Sequence, residues 1–325
     1  MTSAYAEAMT RPFSERVADP EWRRAATEWI AEALGDRRVV EVEQPRNRPW
    51  TTQLKVATDA GTVWFKANGT AGRHEPRQQQ LLAERLPDAF DAPLAIDADR
   101  GWMLTEDRGA TWGDRSDPGL EQWCELVVEA ARVQQELVTE GDVLRGLGVP
   151  DCSPATVTAR FDRFVEVMAG LPDHHPSRVP PELRVRLEQR RSALADAVVA
   201  LQESRLPTTW QHGDLHPWNV FVVGDRLRLF DLGDAQWAHP LEVLSVPFGW
   251  ITERTELPWE PVAEAYADAW GVATGALAAD WQAVGLTQAV NRVLTWWVSL
   301  AEATGEEWQE WGDAPLYHLS RVLDA

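Results

Sequence analysis

The spacing of apolar positions divides the chain into two regimes. Asp19-Pro20-Glu21 is a helix start: an N-cap, a proline in the first turn, then an acid. Trp22, Ala26, Trp29, Ile30 and Ala33 recur at helical spacing and stop near Gly35, which predicts a first helix. Residues 39–42, 53–58 and 62–66 read as strands, with turns over 44–49 and at Asp59-Ala60-Gly61. A helix over 76–85 and a strand over 101–105 follow. Strands joined by short turns predict an antiparallel sheet with attached helices.

After Gly109 the period becomes helical. Residues 120–138, 154–168, 181–201, 261–270, 281–304 and 315–323 carry apolar side chains on one face. One β-hairpin interrupts them over 220–230, where Gly224-Asp225 separates two apolar runs. The shift in pattern over 106–109 places a lobe boundary there, giving expected units of 1–107 and 108–325. The expected fold class is α+β, with a small antiparallel N-lobe and a larger helical C-lobe.

Charge narrows the partners. The 325-residue chain carries a formal net charge of −20, which repels nucleic acid and favours cationic small molecules. No apolar run reaches the length of a membrane span. Met1 to Ser14 lacks the basic and apolar regions of a signal peptide, so a cytoplasmic protein is expected. Cys124 and Cys152 are too few for a disulfide framework. His174 and His175 sit in a proline-rich loop with no third metal ligand at suitable spacing. Arginine supplies nearly all positive charge, and the only lysines are Lys55 and Lys66. Retaining Lys66 in an apolar strand suggests a need for a compact ammonium.

The stretch His212-Gly213-Asp214-Leu215-His216-Pro217-Trp218-Asn219, followed after the hairpin by Asp231-Leu232-Gly233-Asp234, carries the chemistry. Antiparallel pairing brings the start of one strand beside the end of the other. Asn219 and Asp231, which bracket the hairpin, should therefore be neighbours. An amide oxygen beside a carboxylate suits Mg²⁺ with phosphate oxygens completing its shell. Asp214 lies five residues before Asn219, near the metal without needing to ligate it, and can take the proton of an attacking hydroxyl. His212 reads as a residue that holds the loop, His216 as loop structure between base and metal ligand, and Asp234 as a secondary loop or metal ligand.

An aspartate base, an asparagine five residues on and a later metal aspartate make up the protein-kinase signature. The His-Gly-Asp and His-Pro-x-Asn form here resembles the aminoglycoside phosphotransferase family, which includes choline-kinase-like and other small-molecule kinases. That resemblance covers roughly residues 35–300 and implies a bilobal protein-kinase-like fold using ATP and Mg²⁺. It implies that Lys66 contacts the α- and β-phosphates and that Glu75 orients it, with Glu84 as the alternative partner. Met103 to Gly109, with Glu106 and Asp107, is similar to the hinge that receives adenine. Glu242, in His239-Pro240-Leu241-Glu242, stands where an acid steadies the catalytic loop. Residues 44–52 lack a glycine-rich phosphate loop, so backbone contacts from Asn47 and Arg48 are expected instead. The resemblance places the acceptor site near the C-terminal helices, where Trp296, Trp297 and Glu302 are candidates for a cationic, amine-bearing acceptor such as an aminoglycoside, amino sugar or amino alcohol. The alternatives are a neutral sugar or nucleoside acceptor, or a kinase-fold protein that binds nucleotide without catalysis.

Overall fold

A computed structural model describes residues 11–115 and 117–324. Helices α1 (Phe13–Val17) and α2 (Pro20–Leu34) precede strands β1 (Val39–Asn47), β2 (Thr51–Thr58) and β3 (Gly61–Asn68). Helix α3 (Glu75–Arg85) and strands β4 (Ala95–Asp97) and β5 (Trp102–Glu106) complete an antiparallel sheet of order β1-β2-β3-β5-β4. Asp19 caps α2 by accepting from Glu21 N at 2.8 Å, and Gly35 ends the helix at φ 60°. Ala26 and Ile30 of α2 bury against Leu54, Val56, Val63, Phe65, Trp102 and Leu104. Trp22 and Trp29 meet Phe65 and Trp102 edge-on. Because strand side chains alternate, burying Val63 and Phe65 in this core turns Trp64 and Lys66 to the other face of the sheet.

The turn expected over 44–49 is shorter than its composition suggests. β1 continues to Asn47 and shifts register between Glu43, paired with Lys55, and Arg46, paired with Gln53. One extra residue is accommodated there, and Pro45, which has no N–H for a ladder bond, falls within the bulge. The chain reverses instead at Arg48, whose N–H donates to Thr51 O at 2.9 Å.

The helical lobe comprises α4 (Trp112–Arg115), α5 (Leu120–Leu137), α6 (Gly141–Gly146), α7 (Pro154–Ala169) and α8 (Pro181–Gln202). Strands β6 (Thr209–Gln211), β7 (Val220–Val223), β8 (Arg226–Leu229) and β9 (Gln236–Ala238) follow. Helices α9 (Ser245–Arg254), α10 (Glu260–Ala269), α11 (Ala278–Ser299), α12 (Gly305–Trp311) and α13 (Ala314–Ser320) close the chain. The helix expected over 281–304 stops at Ser299, and Thr304 starts α12 with a capping box to Glu307. No helix among the described residues is long and apolar enough to cross a membrane.

Two features of this lobe position the site. β7 and β8 form the expected hairpin, with Val220 opposite Leu229. β6 and β9, which the sequence pattern did not reveal, pair Gln211 with Gln236 and so close residues 212–235 at their base. The large core also receives Leu82, Ala83 and Leu86 from the α3 region, so that segment is anchored to the helical lobe as well as to the sheet.

Glu242 lies inside the helical lobe, not against the catalytic loop. Its carboxylate accepts from Thr287 Oγ1 at 3.0 Å and from Asn291 Nδ2 at 2.9 and 3.0 Å. Burial pushes its pKa up to about 7, against the opposing hydrogen bonds and the nearby Arg160. An acid whose folded pKa is raised contributes full stability below its unfolded value and loses it as pH rises through the folded one. Thermal unfolding is therefore expected to show a melting temperature that declines between about pH 4.5 and 7. Glu242→Gln should flatten that decline; an unchanged slope in the variant counts against this assignment.

Candidate active site

The site is built around an ammonium shared by two carboxylates. Lys66 Nζ on β3 lies 2.7 Å from Glu75 Oε1 and 2.6 Å from Asp231 Oδ1. Glu84 is exposed and takes no part. Burial alone would discharge the lysine, but the fields of Asp231 and Glu75 outweigh it and hold its pKa above the ordinary value. The same pairing, with Arg46 adding to it, overcomes the burial of Asp231 and holds its carboxyl down to about 2. Glu75 is fully buried, and its Oε1 also accepts from Leu232 N at 3.0 Å while Oε2 accepts from Asn68 Nδ2 at 2.9 Å. One carboxylate thus joins β3, the start of α3 and the residue after Asp231.

The catalytic-loop stretch is pinned from below. His212 is fully buried; its Nε2 meets Phe230 O at 3.0 Å and its Nδ1 faces Asp214 N at 3.3 Å. Desolvation depresses its pKa, which favours a neutral ring with Nε2–H donating to Phe230. Gly213 has φ +83°, and a Cβ there would lie 2.0 Å from Asp234 O. That contact explains glycine where protein kinases carry arginine. Asp231 is the one non-glycine residue at positive φ among the described residues, at 61°. Such strain persists at functional sites where surrounding bonds over-determine the backbone.

Asp214 points into the open cleft with 39% of its side chain exposed. Burial raises its pKa, but the His216 hydrogen bond and charge, followed by Arg292 and His212, bring it below the ordinary carboxylate value. His216 Nε2 lies 3.3 Å from both Asp214 Oδ2 and Asn219 Nδ2. Asn219 Nδ2 donates to Asp214 O at 2.9 Å, which leaves its amide oxygen to accept a hydrogen bond or to ligate a cation. Phe230 N donates to Asn219 O at 3.1 Å, so Asn219 and Asp231 bracket the hairpin as its pairing requires. An amide oxygen and a carboxylate oxygen are hard donors that fit Mg²⁺ carried by phosphate.

Two cavities meet at the Lys66–Asp231 pair. One, of about 320 Å³, is lined by Phe65, Met103, Phe221, Leu229 and Phe230, with Glu106 and Asp107 at its rim. Glu106 also pairs with Arg37 at 2.7 Å, and Asp107 Oδ1 accepts from Gly109 N at 2.8 Å. The other, of about 220 Å³, is lined by Asp214, Asp231, Asp234, Arg46, Arg292 and Trp296 among others. Two of the expected acceptor-site residues, Trp297 and Glu302, do not border this cavity. Trp297 packs against Phe164 and Trp308, away from this cavity. Glu302 is engaged with Thr70 N at 2.7 Å and Arg16 Nη1 at 2.9 Å. The Asn47 side chain donates to Ser14 O and that of Arg48 lies over the Trp311 ring, while Arg46, Trp50 and Thr51 are the residues of this hairpin that border the cavity. Asp234 accepts from Arg292 Nη1 at 3.0 Å, and the same nitrogen donates to Gly213 O. Arg46, Arg292 and Trp50 were not evident from sequence. Only the helical spacing of Arg292 and Trp296 hinted at a shared face.

A model of the phosphotransferase enzyme family, APH, matches residues 70–286. The chain belongs to that family. This phosphotransferase also shares its fold with solved small-molecule kinases. Choline kinase LicA from Streptococcus pneumoniae aligns with TM-score 0.59 and 14% identity, covering 94% of this chain and 99% of that one. The GDP complex of wild-type aminoglycoside 2'-phosphotransferase-IIIa aligns with TM-score 0.60 and 14% identity over 92% and 98%. Plasmodium vivax ethanolamine kinase aligns with TM-score 0.61 and 12% identity over 94% of each chain. No curated protein is a significant sequence match. The phosphotransferase is a small-molecule kinase with the protein-kinase-like architecture.

Removing the shared ammonium leaves a buried Glu75 facing Asp231. Lys66→Met is expected to lower folding stability by about 3 kcal/mol in denaturant unfolding, whereas exposed Lys55→Met should leave it unchanged. Equal effects of the two substitutions would contradict the charge argument.

Proposed function

We propose that this phosphotransferase moves the γ-phosphoryl group of ATP to a hydroxyl of a small molecule, with Asp214 as the base. The observation that carries this reading is the junction of the two cavities. Lys66 and Asp231 line both, while Asp214 lines only the second.

The larger cavity suits the nucleotide. Its volume falls within the roughly 300–1,000 Å³ of small-molecule sites, and its apolar lining suits a flat base. Glu106 and Asp107 lie where the chain crosses between lobes. Lys66 meets the α- and β-phosphates, oriented by Glu75. Arg46 stands in for a glycine-rich loop by supplying a side-chain cation close to Asp231. Asn219 and Asp231 would hold Mg²⁺, which when bound offsets charge on the transferring phosphate.

The second cavity then takes the acceptor. Asp214, ionised at neutral pH, accepts the proton of the attacking hydroxyl and aligns its oxygen on the γ-phosphorus. His212 fixes the backbone of the base, and His216 fixes its carboxylate. Positioning and charge stabilisation supply most of the acceleration in such transfers. The chain's net charge of −20 favours the approach of an amine-bearing acceptor; of the candidates for receiving the amine, Trp296 borders the cavity while Trp297 and Glu302 do not.

Asp214→Asn is expected to reduce kcat by about a hundred- to ten-thousandfold while leaving Mg-ATP affinity little changed. Asp231→Asn should remove the magnesium dependence of ATP binding, measured by calorimetry. Acceptor-dependent ADP release that persists undiminished in Asp214→Asn would sink the assignment. Magnesium-dependent nucleotide binding without turnover of any acceptor would instead identify a non-catalytic binder.

A further inference from the structure

The acceptor-side cavity differs from the molecule as a whole in size and charge. At about 220 Å³ it is smaller than the roughly 300–1,000 Å³ that hold drug-sized ligands. Its enclosed part is matched in size to a single ring. Its charges balance: Arg46, Lys66 and Arg292 line it together with Asp214, Asp231 and Asp234. Lys66 is bound to Asp231 and Arg292 to Asp234. Pairing an ammonium with a carboxylate other than the catalytic base would require Asp231 or Asp234, and each already has a cation beside it. The surplus of negative charge lies elsewhere on the chain, where salt screens it over about 8 Å.

The remaining lining is that of a site for a neutral, hydroxyl-rich ring. Arg292, Thr295, Trp296 and Ser299 follow one another at helical spacing along α11 and all border the cavity. Trp50 faces them from the sheet side. Trp296 is held in place by the edge of Trp50 at 5.7 Å and by Trp311 stacked at 6.3 Å, so its orientation is set in advance. Both hydrogen bonds of Arg292 leave from Nη1, so Nη2 and Nε remain as donors. Among the described residues no protein group bonds the Ser299 hydroxyl. A ring that presents C–H bonds to an indole and hydroxyls to Arg292, Ser299 and Asp214 matches these groups.

We propose that the acceptor is an uncharged single-ring polyol, a monosaccharide or a cyclitol. This rests on the kinase reading above. The hydroxyl nearest Asp214 gives its proton to that carboxylate, and its oxygen forms the new bond to the γ-phosphorus. The bond from γ-phosphorus to the bridging oxygen breaks, and ADP leaves with the electron pair.

The test compares matched acceptors that differ only in an amine, such as glucose with glucosamine, in Mg-ATP-dependent ADP release. The panel extends to other neutral hexoses, inositols, amino alcohols and multi-ring aminoglycosides, with Asp214→Asn as control. The expected result is a higher kcat/KM for neutral rings than for their amine-bearing counterparts. Trp296→Ala should raise KM for the ring by about tenfold and leave KM for ATP unchanged. Binding of the same ring to Asp214→Asn, measured by calorimetry with a non-hydrolysable ATP analogue, should weaken in parallel when Trp296→Ala is added. Preferred turnover of an amine-bearing acceptor, including turnover of amines alone, overturns the acceptor class and leaves the kinase assignment standing. ADP release from no acceptor of any class, despite Mg-ATP binding, overturns both.

Discussion

A single ammonium group between two carboxylates organises this molecule. Lys66 and Asp231 are 165 residues apart in sequence and 2.6 Å apart in space. Taking three charges out of water is costly, and the arrangement survives because each charge has a partner at hydrogen-bond distance. Glu75 extends the constraint, since the oxygen that meets Lys66 also accepts the backbone N–H of Leu232. The sheet, the first turn of α3 and the segment after the hairpin are therefore fixed relative to one another before any ligand arrives. Preorganisation of this kind suits a reaction in which the protein contributes position and field more than covalent chemistry.

Backbone conformation imposes the second constraint. Residues 212–235 leave the helical lobe through β6 and return through β9, so their ends are tied together. Within that closed segment Asp231 adopts left-handed geometry and Gly213 approaches Asp234 too closely for any Cβ. Neither would persist in a free loop. His212 bridges the two ends through Phe230 O and Asp214 N, and Arg292 bridges Gly213 O and Asp234 from the outside. Asp214, Asn219 and Asp231, the proposed base and metal ligands, thus belong to one braced segment rather than to separate loops.

Those parts of the site that depend on local chain geometry were legible in sequence. Gly224-Asp225 announced the hairpin, and the hairpin in turn placed Asn219 beside Asp231. A lysine kept in an apolar strand of a chain that uses arginine nearly everywhere else singled out Lys66. Choosing Glu75 over Glu84 needed the family resemblance, because both sit on the same helix and only tertiary packing buries one and exposes the other. Pro45 looked like part of a turn, although a bulge accommodates it equally well; so the strand carrying Arg46 to the cleft was missed. Trp297 and Glu302 were plausible neighbours of Trp296 by number, yet one position along a helix rotates a side chain by about 100°. Trp297 therefore joins Phe164 and Trp308 while Trp296 borders the cavity. Glu242 resembled a loop-steadying acid by motif, but its partners Thr287 and Asn291 lie on α11, a contact that no local pattern encodes.

The two halves of the site have separate structural origins, and this bears on how its specificity is set. Asp214, Asn219 and Asp231 are placed by the braced segment and by Lys66. Thr295, Trp296 and Ser299 are placed by α11, whose other side packs against α8 and α13. Arg292 and Thr295 belong to both: Arg292 bonds Gly213 and Asp234, and the Thr295 hydroxyl accepts from Gln236 at the base of the braced segment, while both border the acceptor cavity. Substitution at positions 296 and 299 can alter the shape of the acceptor wall without breaking a bond to the braced segment, whereas substitution at 292 or 295 disturbs both. A fold arranged in this way can hold its phosphoryl-transfer chemistry constant while its acceptor changes, because changing the acceptor wall requires no change in the backbone that holds the base.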